Sequence, residues 1–381
     1  MKIIVAGKNN IAIQVSLFIL KRYPELNLQA IPSNENKTNF FPSFKNFCLI
    51  NNIKICSLEE IYNDQNIIFL SVEFDKIIDI NKFKSKKLFN IHFSLLPSYK
   101  GMYTSIWPLI NGDYKTGCTL HIIDNGIDTG PIIDQIKFNI NDTYRSLDLY
   151  LLNMRYGFAL FKRNFEKILN NTFNLQDQCY LNSSYYSKNS IDFENLKIDF
   201  NQTALNISRQ IRAFNFRIYQ LPKYKFTNIS GFTITNKRSI GKPGSIIHET
   251  FSEIYLSTID FDIILKKDLF NLLLKNIKNE DFHGIEKILN LSPEYSLEYD
   301  LNGLNPLNIS IKLKKLKAFK KLISMKLSPN LTSIDGSGAL LMLQKYIDGA
   351  DYKKFYEILI DNGASSSLKN IYDISYTNYL K

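Results

Sequence analysis

The chain is poor in the residues from which many sites are built. It has 381 residues but only four histidines, four cysteines and one tryptophan. The cysteines, Cys48, Cys56, Cys118 and Cys179, have no paired spacing. That argues against a zinc site or a disulfide framework, and reduced thiols are expected. Triplets such as Asn206-Ile207-Ser208 then carry no meaning for glycosylation. No run approaches the eighteen or so apolar residues a membrane span needs, so no membrane insertion is expected. The stretch Met1-Lys2-Ile3-Ile4-Val5-Ala6-Gly7 lacks the length and cleavage site of a signal peptide, and reads as a buried strand of a cytoplasmic protein. Gly7-Lys8-Asn9-Asn10 is too poor a glycine fingerprint for a pyridine-nucleotide enzyme. A dense basic tract is missing too. The net charge of +11 is spread over an Ile-, Asn- and Lys-rich sequence. No nucleic-acid partner is expected, although a positive field helps to recruit a small polyanion.

The length favours two or three domains, and the pattern along the chain changes twice. Residues 1 to about 140 alternate strand and helix signals: Lys2–Ala6, then the helix-like Ile11–Leu20, then buried strands at Ile67–Val72, Leu88–Phe93, Cys118–Ile123 and Ile132–Phe138. This predicts an α/β sheet with a largely parallel part. Asn141-Asp142-Thr143 offers N-caps for a long helix. Its stripe is Leu147, Leu151, Met154, Phe158, Phe161, Phe165 and Ile168. Ile207, Ile211 and Phe214 mark another helix, stopped by Leu221-Pro222. Residues 225–265 read as short strands, with Gly241-Lys242-Pro243-Gly244 the clearest turn. From Asp268 helical patterns recur. Asp300-Leu301-Asn302-Gly303-Leu304-Asn305-Pro306-Leu307 resembles the start of an ankyrin repeat, and Leu327–Asn330 and Asn362–Ser365 resemble repeat ends about one period apart. Asn305 and Asn308 replace the usual Thr and His. The expected division is 1–200, 201–267 and 268–381.

Chemistry concentrates in Asn90-Ile91-His92-Phe93-Ser94-Leu95-Leu96-Pro97. Alternate side chains of a strand share a face, so Asn90 and His92 point one way and Phe89, Ile91 and Phe93 the other. The carboxyl end of a strand is where open α/β sheets place their sites. An amide and an imidazole suit acyl transfer to an amine. Negative charge building on the acyl oxygen wants a neutral donor, which Asn90 supplies. The attacking nitrogen must lose a proton, and imidazole is the acceptor suited to neutral pH. A carboxylate beside it favours its charged form. Asp124 and Asp128 are both candidates in the loop 124–130, and either can equally be a turn residue.

With Tyr99-Lys100-Gly101, Trp107-Pro108, Asn111-Gly112, Thr116-Gly117 and Asp128-x-Gly130-x-Ile132-Ile133, this motif resembles the core of the formyltransferases that use 10-formyltetrahydrofolate. The resemblance implies a Rossmann-like domain with a mixed sheet and a catalytic trio of Asn90, His92 and Asp128. It implies a donor site at Ser71, Val72, Glu73 and Phe74 with Ile123 and Asp124, much of it through backbone groups, and no metal. The stretches Gly101–Ser105 and Gln210–Pro222 resemble sugar N-formyltransferases of bacterial surface polysaccharide (O-antigen) pathways, a subset of which carries an ankyrin-like extension. The implied acceptor is a dTDP-linked amino sugar, a 3-amino-3,6-dideoxyhexose before a 4-amino one. Its expected contacts are Lys100, Tyr103, Thr104, Arg212, Phe214, Arg217, Tyr219 and Gln220, with Phe214 also on the apolar helical stripe. A homodimer is expected, and the tail offers a surface for a second ligand or a protein partner. Formylation of methionyl-tRNA and a non-catalytic binding module are the competing readings.

Overall fold

The computed structural model describes residues 1–34 and 39–379. Ile3, Ile4, Val5 and Ala6 of β1 (Lys2–Gly7) are buried on both faces, as in a central parallel strand. β1 pairs in parallel with β2 (Asn27–Pro32) and with β4 (Ile67–Val72), and β3 (Lys54–Ile55) extends the β2 edge. β4 pairs in parallel with β5 (Leu88–His92). There the sense reverses: β7 (Lys115–Ile122) runs antiparallel to β5, and β8 (Ile132–Asn139) antiparallel to β7. The order is therefore β3-β2-β1-β4-β5-β7-β8, a mixed sheet as expected. Two strands escape a reading of the sequence. β2 carries Asn27 and Gln29 and ends in Pro32, and β3 has two residues, so neither shows an apolar run. Pairing with a strand already in place recruits them.

α1 (Asn9–Arg22), α2 (Phe44–Ile50), α3 (Leu58–Ile61) and α4 (Trp107–Asn111) connect these strands. The long α5 (Ser146–Asn170) buries Leu147, Met154, Phe161, Phe165 and Ile168 and half-buries Leu151 and Phe158. Its expected caps fall short of its start. Asn141 Oδ1 instead accepts from the Thr143 N–H and hydroxyl in a turn, while Asp148 reaches back to the Arg145 N–H at 2.8 Å. α6 (Ala204–Phe214) is capped by Thr203, whose hydroxyl accepts from the Asn206 N–H.

A second sheet follows, built from β10 (Lys223–Tyr224), β11 (Thr227–Arg238), β12 (Ile246–Glu249), β13 (Glu253–Leu256) and β14 (Phe261–Lys267). It is antiparallel in the order β10-β11-β14-β13-β12. The chain forms no separate body at residue 201. Everything to Lys267, apart from a segment around Phe40, is one unit. The reason is α6, which packs on α4, α5 and β11 together. The other unit runs from Asp268. Its helices are α7 (Phe270–Asn279), α8 (Phe282–Leu291), α9 (Pro306–Lys312), α10 (Leu316–Ser324), α11 (Ala339–Tyr346), α12 (Gly349–Asp361) and the short α13 (Tyr376–Tyr379). Phe270, Ile285, Leu307, Phe319, Leu343 and Phe355 share its core.

Candidate active site

The end of β5 presents Asn90 and His92 to two loops, one ending at Gly101 and the other at Gly130. Tyr99 takes a left-handed backbone, and its carbonyl accepts from His92 Nε2 at 2.8 Å. A carbonyl can only accept, so Nε2 carries the proton and Nδ1 the lone pair of the neutral ring. Nδ1 faces Asp128 Oδ2 at 3.4 Å. The same carboxylate oxygen accepts from the Gly101 N–H at 2.9 Å. Gly101 has φ +87°, and a Cβ there would lie 2.2 Å from the Tyr186 carbonyl. Only glycine lets that backbone reach Asp128. The short strand β6 (Lys100–Gly101) is in turn paired with β9 (Tyr185–Tyr186).

Of the two loop carboxylates, Asp128 is the one that faces His92. Asp124 accepts from the Gly126 N–H at 3.1 Å and the Thr129 hydroxyl at 2.7 Å, within its own turn. Burial alone would push the Asp128 carboxyl up. A protonated His92 facing it, a protonated His121 beside it and the Gly101 N–H outweigh burial and hold it well below the usual carboxylate range.

His121 is the residue that sequence reasoning missed. It sits in β7 directly opposite Asn90 and is almost fully buried. Its Nδ1 lies 2.8 Å from the carbonyl of Ile122, so Nδ1 carries the proton and Nε2 accepts. Asn90 Nδ2 reaches this Nε2 at 3.1 Å and Asp128 Oδ1 at 3.2 Å. Both amide hydrogens thus point at acceptors, and an incoming oxygen takes one of them over. The signal was available: His121 stands two residues after Thr119 on one strand face, in a chain with four histidines. Gln178 was missed as well. Its amide donates at 2.8 Å to the carbonyls of both Asp128 and Gly130, bracing the loop.

The residues expected at a donor site divide. Ser71 and Val72 end β4, with Ser71 paired to Asn90. Phe74 and Ile123 pack, partly exposed, with Ile78 and Ile80 on a cluster containing Phe69 and Leu88. This apolar wall beside Asn90 suits a flat ring. Glu73 departs from the expectation. Its backbone is left-handed (φ +62°), and its carboxylate meets Asn9 and Tyr150 instead of that wall.

The residues expected to meet an acceptor divide too. Lys100 is buried beside the catalytic residues, an environment a lone ammonium enters at a cost that an anion would offset. Tyr103 donates to the Lys188 carbonyl at 3.0 Å, and Thr104 is half-buried next to it. Arg212 reaches the carbonyls of Asn141 and Tyr144 at 3.4 and 3.5 Å and so ties down the turn before α5. Phe214 is core, held by the helical stripe. Arg217, Tyr219 and Gln220 lie in the loop after α6, where Tyr219 is exposed and stands 4.9 Å from Phe216, ring to ring.

Several known proteins resemble this chain. A model of the family described as formyl transferase matches residues 67–152. A methionyl-tRNA formyltransferase of Ureaplasma parvum is 32% identical over 73% of this chain and 98% of its own length. Among solved structures, WlaRD, a sugar 3N-formyl transferase crystallised with dTDP and 5-N-formyl-THF, is 45% identical with a TM-score of 0.64, over 70% of this chain and 97% of that one. An N-formyltransferase from Helicobacter canadensis, in complex with folinic acid and dTDP-3-aminofucose, is 44% identical with a TM-score of 0.65, over 70% of this chain and all of that one.

Proposed function

The chain belongs to the formyl transferase family and is an N-formyltransferase, and from that premise we propose that it formylates the amine of a dTDP-linked 3-amino-3,6-dideoxyhexose, the gluco compound or its galacto epimer, in bacterial surface polysaccharide synthesis. The formyl group comes from 10-formyltetrahydrofolate. One observation carries the choice of acceptor. The two sugar N-formyltransferase structures match at 45% and 44% identity over nearly their whole lengths, against 32% for the methionyl-tRNA enzyme.

In this reading the donor lies against the wall of Phe74 and Ile123, with its formyl carbon toward Asn90. Asn90 Nδ2 turns one N–H from its resting acceptors to the formyl oxygen, where negative charge builds. His92 takes the amine proton at Nδ1, since Nε2 is held by the Tyr99 carbonyl. The imidazolium so formed lies against Asp128, which stabilises it. Lys100 meets the diphosphate as a point charge. Tyr103, Thr104, Arg217, Tyr219 and Gln220 line the path to the nucleotide. The amine attacks the formyl carbon as the free base, and the bond from that carbon to the folate nitrogen then breaks. The leaving nitrogen takes the proton held by His92, and no covalent intermediate on the protein is required.

The first helices of three successive pairs in the C-terminal unit start at Phe270, Pro306 and Ala339. That spacing is close to the ankyrin period of about 33 residues. We read these pairs as divergent ankyrin-like repeats that offer a face to a second ligand or a protein.

The test is formyl transfer by the purified chain, offered the 3-amino and 4-amino dideoxyhexoses on dTDP side by side. Turnover of a 3-amino sugar, lost in His92→Asn, is the expected result. The relation to the Ureaplasma enzyme favours a second reading, methionyl-tRNA as acceptor. Turnover of that substrate alone, falling steeply with salt, would replace the sugar.

A further inference from the structure

A second polar cluster lies across the β4–β5 crest from the catalytic residues, and the transfer chemistry above does not use it. Along β5 and into the next residue, Ile91 and Phe93 alternate with Asn90 and His92 and face α5. Gly157 admits them there, since a Cβ at that position would come within 3.3 Å of Ile91 and 3.1 Å of Phe93. On this side Asn9 Nδ2 lies 2.7 Å from the Tyr150 hydroxyl and 3.2 Å from Glu73 Oε2. The Tyr150 hydroxyl also donates to that carboxylate. The three residues come from the start of α1, the residue after β4 and the second turn of α5. Ser71 pairs with Asn90 and Val72 with Ile91, and Glu73 is the next residue after that pairing ends. The Tyr150 ring is 6.2 Å from Phe93 and 5.5 Å from Phe216, which is itself 4.9 Å from Tyr219. The cluster therefore spans from the catalytic strand to the loop after α6.

Its construction is costly for a part that only holds the fold together. Asn9 and Glu73 both adopt left-handed backbone, with φ of +59° and +62°. Burial pushes the Glu73 carboxyl up, and the Lys8 charge and the hydrogen bonds from Tyr150 and Asn9 do not fully offset it. Both side-chain partners of Glu73 are neutral. A well-packed apolar set would serve stability as well or better. What the cluster does supply is donors and an acceptor together, on residues of which Glu73 and Tyr150 are only half-buried. A ring hydroxyl both donates and accepts, and fits such a set. An ammonium needs acceptors alone.

We propose that Asn9, Glu73 and Tyr150 form the subsite that reads the acceptor's ring hydroxyl next to the reacting amine, with Glu73 accepting from it and Asn9 or Tyr150 donating to it. The inference rests on the amino-sugar reading above and places the Glu73 side chain on the acceptor side, away from the formyl donor.

The experiment is steady-state kinetics of the full chain and of Glu73→Gln and Tyr150→Phe with both 3-amino epimers. Each substitution is expected to raise the acceptor KM about tenfold or more, the size of one hydrogen bond involving a charged group. Preference between the epimers should shrink, and the KM for the folate donor should stay within about twofold, which also reports that the site is folded. Unchanged acceptor KM and epimer preference in Tyr150→Phe would overturn the subsite. A raised donor KM in Glu73→Gln would return Glu73 to the donor side and overturn it equally. No turnover of either epimer by the unaltered chain is a different outcome, which removes the amino-sugar reading and this inference with it.

Discussion

Two histidines reach Asp128, one from β5 and one from β7, and they are not equivalent. Each has one ring nitrogen pinned by a backbone carbonyl, His92 Nε2 by Tyr99 and His121 Nδ1 by Ile122. The difference lies in the remaining nitrogen. That of His121 already accepts the Asn90 amide at 3.1 Å. That of His92 faces, among the described residues, only the carboxylate, at 3.4 Å. One residue type, equally buried, thus becomes a proton acceptor on one strand and a holder of the amide on the next. The partner of the second nitrogen decides which.

The sharpest way to break this contrast is to remove each ring in turn. His92→Asn or Asp128→Asn is expected to lower turnover about a hundredfold or more, read in single-turnover assays. Turnover within a few-fold of the unaltered chain would deny His92 its role as base. His121→Leu takes away an acceptor for Asn90 and a neighbour of Asp128, and should lower kcat about tenfold with little change in either KM. His121→Gln, which restores an acceptor, should recover most of that loss. A drop from His121→Leu as deep as that from His92→Asn would make the two histidines equals and end the distinction.

The smallest effect concerns stability. The Asp128 carboxyl is held below its ordinary range in the fold. Its contribution is therefore present above the unfolded pKa and lost as pH falls through the folded one. The stability difference between the unaltered chain and Asp128→Asn, from denaturant unfolding, should be flat near neutrality. It should narrow only below about pH 4, the ordinary carboxylate range. Narrowing already at about pH 6 would assign the dependence to a different group.

Much of this was legible in the sequence, because apolar runs and a fixed motif are local signals. The central strands follow from their apolar runs, α5 from its helical stripe, and the shared face of Asn90 and His92 from strand alternation. Choosing Asp128 over Asp124 by physical argument needed the folded loop, because both are turn residues until one of them meets His92. β2 stayed hidden because its residues are strand-like only beside β1. His121 stayed hidden because its partner Asn90 is thirty-one positions away. Glu73 was expected at the donor site by resemblance alone, which carries no sign of the left-handed backbone that turns its side chain to Asn9 and Tyr150.

The loop that carries Tyr99 and Gly101 is stitched to a segment far along the chain. The Lys100 N–H donates to the Ser184 carbonyl at 2.9 Å, the Tyr99 N–H to the Ser184 hydroxyl at 2.8 Å and the Met102 N–H to the Tyr186 carbonyl at 2.8 Å. During synthesis, Asn90, His92 and Asp128 all leave the ribosome long before Tyr186 does. A nascent chain therefore holds its whole catalytic trio, and Tyr99 with it, while the segment that anchors the Tyr99 loop is still missing. Contacts so distant in sequence close late. Full activity is therefore expected only after residues 184–186 have been made, although that stretch has no catalytic residue of its own.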